Sequence, residues 1–190
     1  DLVFIMRVIT GKAKGRKLKS LEGNDVRPTT DKVKEAIFSA IQFEIEGAKV
    51  LDLFAGSGQL GIEALSRGAG HVMFVDKAKA SCDVVYENLK MTGMLKEANV
   101  ATMDSIDFLK STSKNFDIAF LDPPYRNGLL EKAMPLLAEK INDGGKVICE
   151  HEKELVLPEK FGKLRLKKVY RYGKISVSLY FRDDETEEEA

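Results

Sequence analysis

Three short runs that are apolar almost without interruption constrain this chain most: Lys49-Val-Leu-Asp-Leu-Phe54, Val72-Met-Phe-Val75 and Phe116-Asp-Ile-Ala-Phe-Leu121. Each has the length of a strand and shows apolar side chains on both alternating faces. That is the pattern of a parallel sheet covered on both sides. Strands are expected at 49–54, 71–76, 98–103, 116–121 and 145–150, with helices at about 59–67, 78–93, 104–111 and 128–140. Asn142-Asp-Gly-Gly145 reads as a turn between elements. The segments Leu166 to Tyr172 and Ile175 to Phe181 alternate around Gly173 and predict a hairpin at the sheet edge. The expectation is therefore α/β: a doubly wound, mostly parallel, seven-stranded sheet that ends in an antiparallel C-terminal hairpin. Upstream, residues 6–19 predict a small β-hairpin turning between Gly11 and Gly15. Thr30 or Asp31 would then cap a helix running to about Glu46, with Val33, Ile37, Ala40, Ile41 and Ile45 on its apolar face.

The 190 residues suit one domain with a sizeable core, and 44% hydrophobic with 32% charged residues is ordinary for a globular chain. No apolar run is long enough to cross a bilayer, and no signal-peptide pattern is present, so a cytoplasmic protein is expected. Met6 reads as a native start, with residues 1–5 upstream of it; residues 6–182 form the domain, divided into an N-terminal hairpin and helix (6–47) and a sheet core (48–182). Cys82 and Cys149 read as small buried hydrophobes rather than a disulfide or a metal site. His71 and His151 have no second histidine at ligand spacing, and no metal is expected.

Two motifs carry chemistry. Gly56-Ser-Gly58-Gln-Leu-Gly61 follows the first strand and opens a helix, which matches the G-x-G-x-x-G loop that holds a nucleotide-like cofactor. Asp76 ends the next strand, 18 residues after Gly58, where a carboxylate meets ribose hydroxyls. Asp104 ends the following strand and can face an adenine amino group or simply cap the next helix. Asp52, four residues before Gly56, disfavours a pyrophosphate and suits a cationic methionine moiety, so S-adenosylmethionine is favoured over NAD. The second motif is Asp122-Pro123-Pro124-Tyr125 at the end of the 116–121 strand. Its carboxylate and the Pro123 carbonyl can accept hydrogen bonds from a planar amino group, the prolines stiffen the turn, and the tyrosine ring can stack on a flat base. Together the motifs predict transfer of a methyl group to an amino group.

The zero net charge conceals strong segregation. Arg7, Lys12, Lys14, Arg16, Lys17 and Lys19 form one basic stretch without an acid. Lys160, Lys163, Arg165, Lys167, Lys168, Arg171 and Lys174 form another, set only against Glu159. The tail from Asp183 holds six acids and is expected to be disordered over 183–190; without it, 30 basic residues face 24 acidic ones, a net of +6. Either basic stretch alone is what a solvated face looks like, but two beside a base-handling motif point towards nucleic acid.

With these motifs in hand, the chain resembles class I, Rossmann-like, S-adenosylmethionine-dependent methyltransferases acting on exocyclic amines. Four longer stretches narrow the resemblance. Met6-Arg-Val-Ile-Thr-Gly-Lys-Ala-Lys-Gly-Arg-Lys-Leu18, Arg27-Pro-Thr-Thr-Asp-Lys-Val-Lys-Glu-Ala-Ile-Phe38, Leu51-Asp-Leu-Phe-Ala-Gly-Ser-Gly58 and Glu63-Ala-Leu-Ser-Arg-Gly-Ala69 look like the bacterial RsmD family, from Met6 to about Arg182. That resemblance implies methylation of guanine N2 in small-subunit (16S) ribosomal RNA, with S-adenosylmethionine converted to S-adenosylhomocysteine. It implies cofactor contacts at Asp52, Ala55, Gly56, Ser57, Gly58, Asp76, Lys77, Asp104 and Ser105, and places Asp122, Pro123 and Tyr125 around the target base. Arg27 and Thr29 would line the floor of the pocket, or else pack the loop and cap the helix; with the first basic stretch they complete the candidate RNA contacts. Gln59 stands where the family usually has a smaller residue.

The partner is then ribosomal RNA, naked or within the assembling small subunit, and nothing in the sequence demands more than a monomer. Three rival readings share part of the pattern. An adenine-N6 DNA methyltransferase shares the Asp-Pro-Pro-Tyr chemistry but generally needs a separate target-recognition region. A protein-glutamine methyltransferase resembles Asn-Pro-Pro-Tyr instead. A catalytically silent RNA-binding assembly factor predicts damaged motifs, and both motifs are intact.

Overall fold

The computed structural model describes residues 6–21 and 29–183. The expectations for residues 1–5, for Arg27 and for the acidic tail beyond Asp183 lie outside the described residues.

Helix α1 (Asp31–Ala40) precedes a run of alternating elements: β1 (Lys49–Leu53), α2 (Gln59–Ser66), β2 (His71–Asp76), α3 (Lys79–Thr92), β3 (Ala98–Thr102), α4 (Ser105–Ser111), β4 (Phe116–Leu121), α5 (Leu129–Ala138) and β5 (Ile141–Glu152). Three further strands, β6 (Lys160–Phe161), β7 (Leu164–Tyr172) and β8 (Ile175–Arg182), follow. They form one sheet in the order β3-β2-β1-β4-β5-β8-β7-β6. The first five in that order are parallel, β8 runs antiparallel to β5, and β7 and β6 continue the antiparallel part. The winding reverses between β1 and β4, and in open α/β sheets the crevice beyond the strand ends at such a point receives ligands.

Strand alternation divides the core. Val50, Phe74, Ile118 and Phe120 point to the face covered by α1, α2, α3 and the N-terminal segment, where Phe38, Ile62, Val85 and Leu89 meet them. Leu51, Leu53, Val75 and Leu121 point to the other face, against Phe108, Leu109, Leu130, Met134 and Leu137 of α4 and α5. Burial on both faces explains the uninterrupted apolar runs.

Three expectations change. The sheet has eight strands rather than seven, because Lys160 and Phe161 pair with Arg165 and Leu164. Helix α1 stops at Ala40 instead of Glu46; Thr30 caps its start, and Ile41 leaves helical geometry at φ −122°. The turns that follow still bury Ile41 and Ile45 while bringing Glu44 to the Lys146 ammonium at 2.6 Å. Asn142 to Gly145 does not separate elements but lies within β5, as an irregularity opposite Phe116–Ile118 with Gly144 at φ +74°. The N-terminal hairpin is present but short: one bridge, Arg7 with Lys17, flanked by the bonds Leu18 N–H to Met6, Val8 N–H to Arg16 and Gly15 N–H to Val8 carbonyls at 2.8, 2.9 and 2.9 Å.

That hairpin stays short because the rest of its backbone is bonded to α1 and α2. Glu63 of α2, fully buried, accepts from the N–H of Ile9 at 2.8 Å and of Thr10 at 3.4 Å. Ser66 accepts from Ala13 N–H and donates to the Thr10 carbonyl. The buried Lys34 ammonium donates to the Arg7 carbonyl at 2.8 Å. Gly11 lies so close to α2 that a Cβ there would stand 1.8 Å from the Ser66 carbonyl oxygen, and its φ of +94° also excludes other residues.

Candidate active site

Each parallel strand brings one carboxylate towards the same edge of the sheet: Asp52 in β1, Asp76 at the end of β2, Asp104 two residues past β3, Asp122 just past β4 and Glu150 in β5. Register sorts them further. Asp52 pairs with Phe120, and Leu121 with Cys149, so Asp122 follows directly beside Glu150. Leu51, Leu53, Leu121 and Cys149 belong to the opposite core, which leaves Asp52, Asp122 and Glu150 on the α1 side of the sheet.

Their surroundings make these acids hard to ionise. Asp52 is 3% exposed and accepts from the Gly61 N–H at 2.9 Å. Burial nevertheless outweighs that bond, and with Asp76 nearby its carboxyl is pushed up to about 8. Glu150 is 5% exposed and accepts from the Thr29 hydroxyl at 2.8 Å; burial raises it as well. Asp122 is raised well above the ordinary carboxylate range, first by burial, then by Glu150 and then by Asp52. Asp122 and Glu150 are thus a like-charged pair that resists double ionisation.

The glycine loop is held by two of the same acids. Phe54, Gly56 and Gly58 all have positive φ, at 60°, 57° and 79°. For an aromatic residue such as Phe54 this is a strained conformation, and it turns the chain abruptly out of β1. Ala55 N–H donates to the Val75 carbonyl at 3.0 Å. Asp76 receives Gly56 N–H on one oxygen at 3.0 Å and Ala78 N–H on the other at 2.9 Å. The grip of Asp52 on Gly61 fixes the first turn of α2, and a Cβ at Gly61 would strike the Phe74 ring at 2.3 Å.

The remaining candidates for the cofactor side divide. The Ser57 hydroxyl faces Met6 sulfur at 3.7 Å, and its carbonyl accepts from Asn88, so its side chain serves the N-terminal segment. Asp104 caps α4, with one oxygen receiving Ile106 and Asp107 N–H at 2.9 and 3.0 Å; Ser105 is the buried first residue of that helix. Lys77 is exposed next to Asp76. Gln59 carries a buried amide oxygen with no hydrogen-bond partner, directly after the loop.

On the acceptor side, Pro123 is buried and Tyr125 is 37% exposed. The loop turns at Arg126, φ +62°, before Gly128 opens α5. A crevice here is lined by Pro123, Tyr125, Arg126, Glu150, His151 and Leu155 among others. Both ring nitrogens of His151 are engaged, with the Glu152 carbonyl and with Ser178 Oγ, each at 2.8 Å.

The basic N-terminal stretch lies across α1, α2 and α3. Arg7, Lys12, Lys14, Arg16, Lys17 and Lys19 are all exposed; Arg7 pairs with Asp31 at 3.2 Å, Lys12 with Glu97 at 3.9 Å and Lys19 with Glu87 at 3.0 Å. Asn88, fully buried on α3, ties this segment to the loop: it receives Lys19 N–H at 2.7 Å and donates to the carbonyls of Lys19 and Ser57.

Glu150 and Asn88 escaped the sequence reading. Glu150 did leave a signal, an acid following Val147-Ile-Cys149 where a buried strand should carry none. Asn88 left none, because a single asparagine on a helix ordinarily faces solvent.

The row of acids tests the kind of ligand this edge accepts. A pyrophosphate would meet an acid on each parallel strand and be repelled wherever that acid ionises. A ligand with sulfonium and ammonium charges would instead draw the same acids towards ionisation and meet partners. Left-handed glycines in the loop open the backbone to close approach by such a ligand.

The family model described as Conserved hypothetical protein 95 matches residues 6–181. The ribosomal RNA small subunit methyltransferase D of Haemophilus influenzae is 40% identical over 182 residues, covering 92% of this chain and 93% of its own. The solved structure of yhhF from Escherichia coli is 35% identical and superposes with a TM-score of 0.83 over 94% of this chain and 98% of that one. An RNA methyltransferase from Salinibacter ruber, solved with S-adenosylhomocysteine, shares the fold at 15% identity and a TM-score of 0.66, covering 86% and 98% of the two chains.

Proposed function

The chain belongs to the RsmD family of ribosomal RNA methyltransferases, and we propose that it transfers a methyl group from S-adenosylmethionine to the exocyclic N2 of a guanine in small-subunit ribosomal RNA. The observation that carries the reading is Asp122 standing beside Glu150, across the strand ends from the glycine loop. A polar pair in that position serves an amino group brought to the sheet edge.

S-adenosylmethionine supplies an electrophilic methyl group on a cationic sulfur. The Gly56–Gly58 backbone, Asp76 and the Asp104–Ser105 turn would hold it, and Asp52, whose carboxyl burial pushes up to about 8, would offer opposite charge as it ionises. The guanine N2 lone pair is delocalised into the ring and is a weak nucleophile. Hydrogen bonds from the amino group to the Asp122 carboxylate and the Pro123 carbonyl favour a more tetrahedral nitrogen and free that lone pair. As the new N–C bond forms, the donor's S–CH3 bond breaks and S-adenosylhomocysteine leaves; N2 gains positive charge and sheds one proton, which Asp122 accepts. To act so, Asp122 must be the ionised member of its pair with Glu150; its raised proton affinity then favours taking the proton, and general bases contribute roughly 10² to 10⁴ in rate. Holding both reactants in near-attack geometry contributes further.

Tyr125 stacks on the base once it has left its helix or loop, since a stacked base cannot reach the donor. Lys12, Lys14, Arg16 and Lys17 contact phosphates, which sets register without reading sequence. The reaction belongs in the cytoplasm, and among the described residues no helix is long and apolar enough to cross a membrane.

The test is transfer from labelled S-adenosylmethionine to naked ribosomal RNA, small-subunit particles and duplex DNA, followed by nucleoside analysis. N2-methylguanosine is expected, with Asp122→Ala retaining donor binding but losing turnover. N6-methyladenine in DNA, or an Asp122→Ala enzyme with normal turnover, would overturn the assignment.

A further inference from the structure

The second basic stretch is not used by the reaction described above. From Lys160 to Arg182 the chain carries Lys160, Lys163, Arg165, Lys167, Lys168, Arg171, Lys174 and Arg182, and no acid. Lysines on an edge strand ordinarily discourage edge-to-edge pairing. That role needs no particular face; here Arg171 and Arg182 lie on the far face and Arg182 pairs with Asp143 at 3.0 Å, whereas Lys167 and Lys168 are brought together on the α1 side.

The register of β7 on β8 shows the sidedness. Arg165 pairs with Phe181, Lys168 with Leu179, Tyr170 with Val177 and Tyr172 with Ile175. Val177 and Leu179 point into the α1-side core, and Tyr170 and Tyr172 pack partly buried against it. Regular alternation would send Lys167 and Lys168 to opposite faces. A register shift between Leu166 and Lys168 inserts one extra residue. With that bulge, Lys167 Nζ lies 5.4 Å from the Phe181 ring centroid and Lys168 Nζ 4.7 Å from that of Tyr170. Lys32 of α1 lies 5.9 Å from the Tyr172 ring, extending the row of cations on rings. Bulges commonly re-aim side chains in this way. Among the described residues Lys167 and Lys168 have no carboxylate partner, while Arg165 pairs with Asp183 at 3.5 Å.

The row leads to the candidate site. Glu152 pairs with Ile175, so the β7–β8 tip stands at the same edge of the sheet as Glu150 and Asp122, and Lys153 N–H donates to the Lys174 carbonyl there. From Arg165 to Tyr172 the strand extends about 23 Å.

We propose that this face of β7, with Lys167 and Lys168 at its centre, is a second RNA-binding surface that holds the sugar-phosphate backbone of the substrate beyond the methylated base. It deepens the reading given under Proposed function and rests on it. The aromatic rings hold the ammonium groups over one face, and rings and cations together form the surface typical of single-stranded RNA binding. The N-terminal stretch and β7 then hold RNA at two places around the site.

The experiment compares wild type with the double variant Lys167→Gln/Lys168→Gln, and with Lys167→Glu/Lys168→Glu, for binding to a fluorescently labelled small-subunit ribosomal RNA transcript and to small-subunit particles. The glutamine variant is expected to lose about tenfold in affinity for the transcript, and log K should fall less steeply with log salt, by about 1.5 for two lost phosphate contacts. The glutamate variant should lose more. Binding of S-adenosylmethionine and kcat at saturating RNA should stay at the wild-type values while KM for RNA rises. Unchanged affinity and salt slope on the transcript would overturn the surface, as would a loss confined to particles, which would assign the face to a ribosomal protein. Wild-type enzyme that binds RNA through this face yet transfers no methyl group would instead refute the assigned reaction and leave the surface standing.

Discussion

Asp52→Asn isolates what burying an acid at the site costs the fold. The substitution keeps an oxygen that can accept from Gly61 N–H and removes only the ionisation. The wild-type carboxyl is raised from 3.8 to about 8, chiefly by burial. A raised acid holds its proton more tightly in the folded state. Its contribution to stability is complete below the unfolded value near 4 and is lost as pH rises through about 8. Across that window the loss approaches about 1.4 kcal/mol per pH unit for one proton. Between pH 5 and 7 the stability of Asp52→Asn relative to wild type should therefore rise by up to about 2.7 kcal/mol. For a domain of this size that corresponds to roughly 5–10 °C in Tm. Urea unfolding of both proteins at pH 5, 6 and 7 measures it. Two stability curves running parallel over this range would refute the reasoning, because Asp52 would then titrate alike in the folded and unfolded states. The same ionisation should favour the cationic donor: wild-type affinity for S-adenosylmethionine should rise with pH over this window, and the variant's should rise less.

Other residues give sharper readouts of single contacts. Glu150→Gln retains an acceptor for Thr29 but removes the charge facing Asp122, so the acid limb of kcat/KM should move to lower pH; a limb that stays in place would uncouple the two acids. Asn88→Ala removes bonds to Lys19 and to Ser57 and should cost about 2–4 kcal/mol in stability while weakening donor binding, measured by denaturation and calorimetry. Normal donor affinity in that variant would show that the loop holds its shape without the tie. Gly11→Ala places a methyl group against the Ser66 carbonyl and should loosen the N-terminal segment, read as faster amide exchange at Ile9 and Ala13; unchanged exchange would refute the close packing.

The parallel core was legible because its strands are buried on both faces and show it residue by residue: 49–54, 71–76 and 116–121 were read within a residue of β1, β2 and β4. Local chemistry marked the glycine loop and the Asp122-Pro-Pro-Tyr125 turn for the same reason, since left-handed backbone and rigid turns require particular residues at adjacent positions. Where local signals competed with distant contacts, the reading failed. Asn142 to Gly145 has the composition of a turn, yet pairing on both sides draws it into β5. The helix pattern continued past Ala40, but Glu44 turns away to Lys146, 102 residues later in the chain.

The sequence by itself determined the strand and helix order, the glycine loop and the acceptor motif, each written in neighbouring residues. Only the tertiary structure decided that Glu150 stands beside Asp122, that Asn88 binds the N-terminal segment to the glycine loop, and that Lys167 and Lys168 share a face. These depend on strand order, register and a bulge, which arise from pairing between segments far apart in the chain. A side chain's charge is written in its own codon, but its neighbours and its exclusion from water are properties of the assembled sheet.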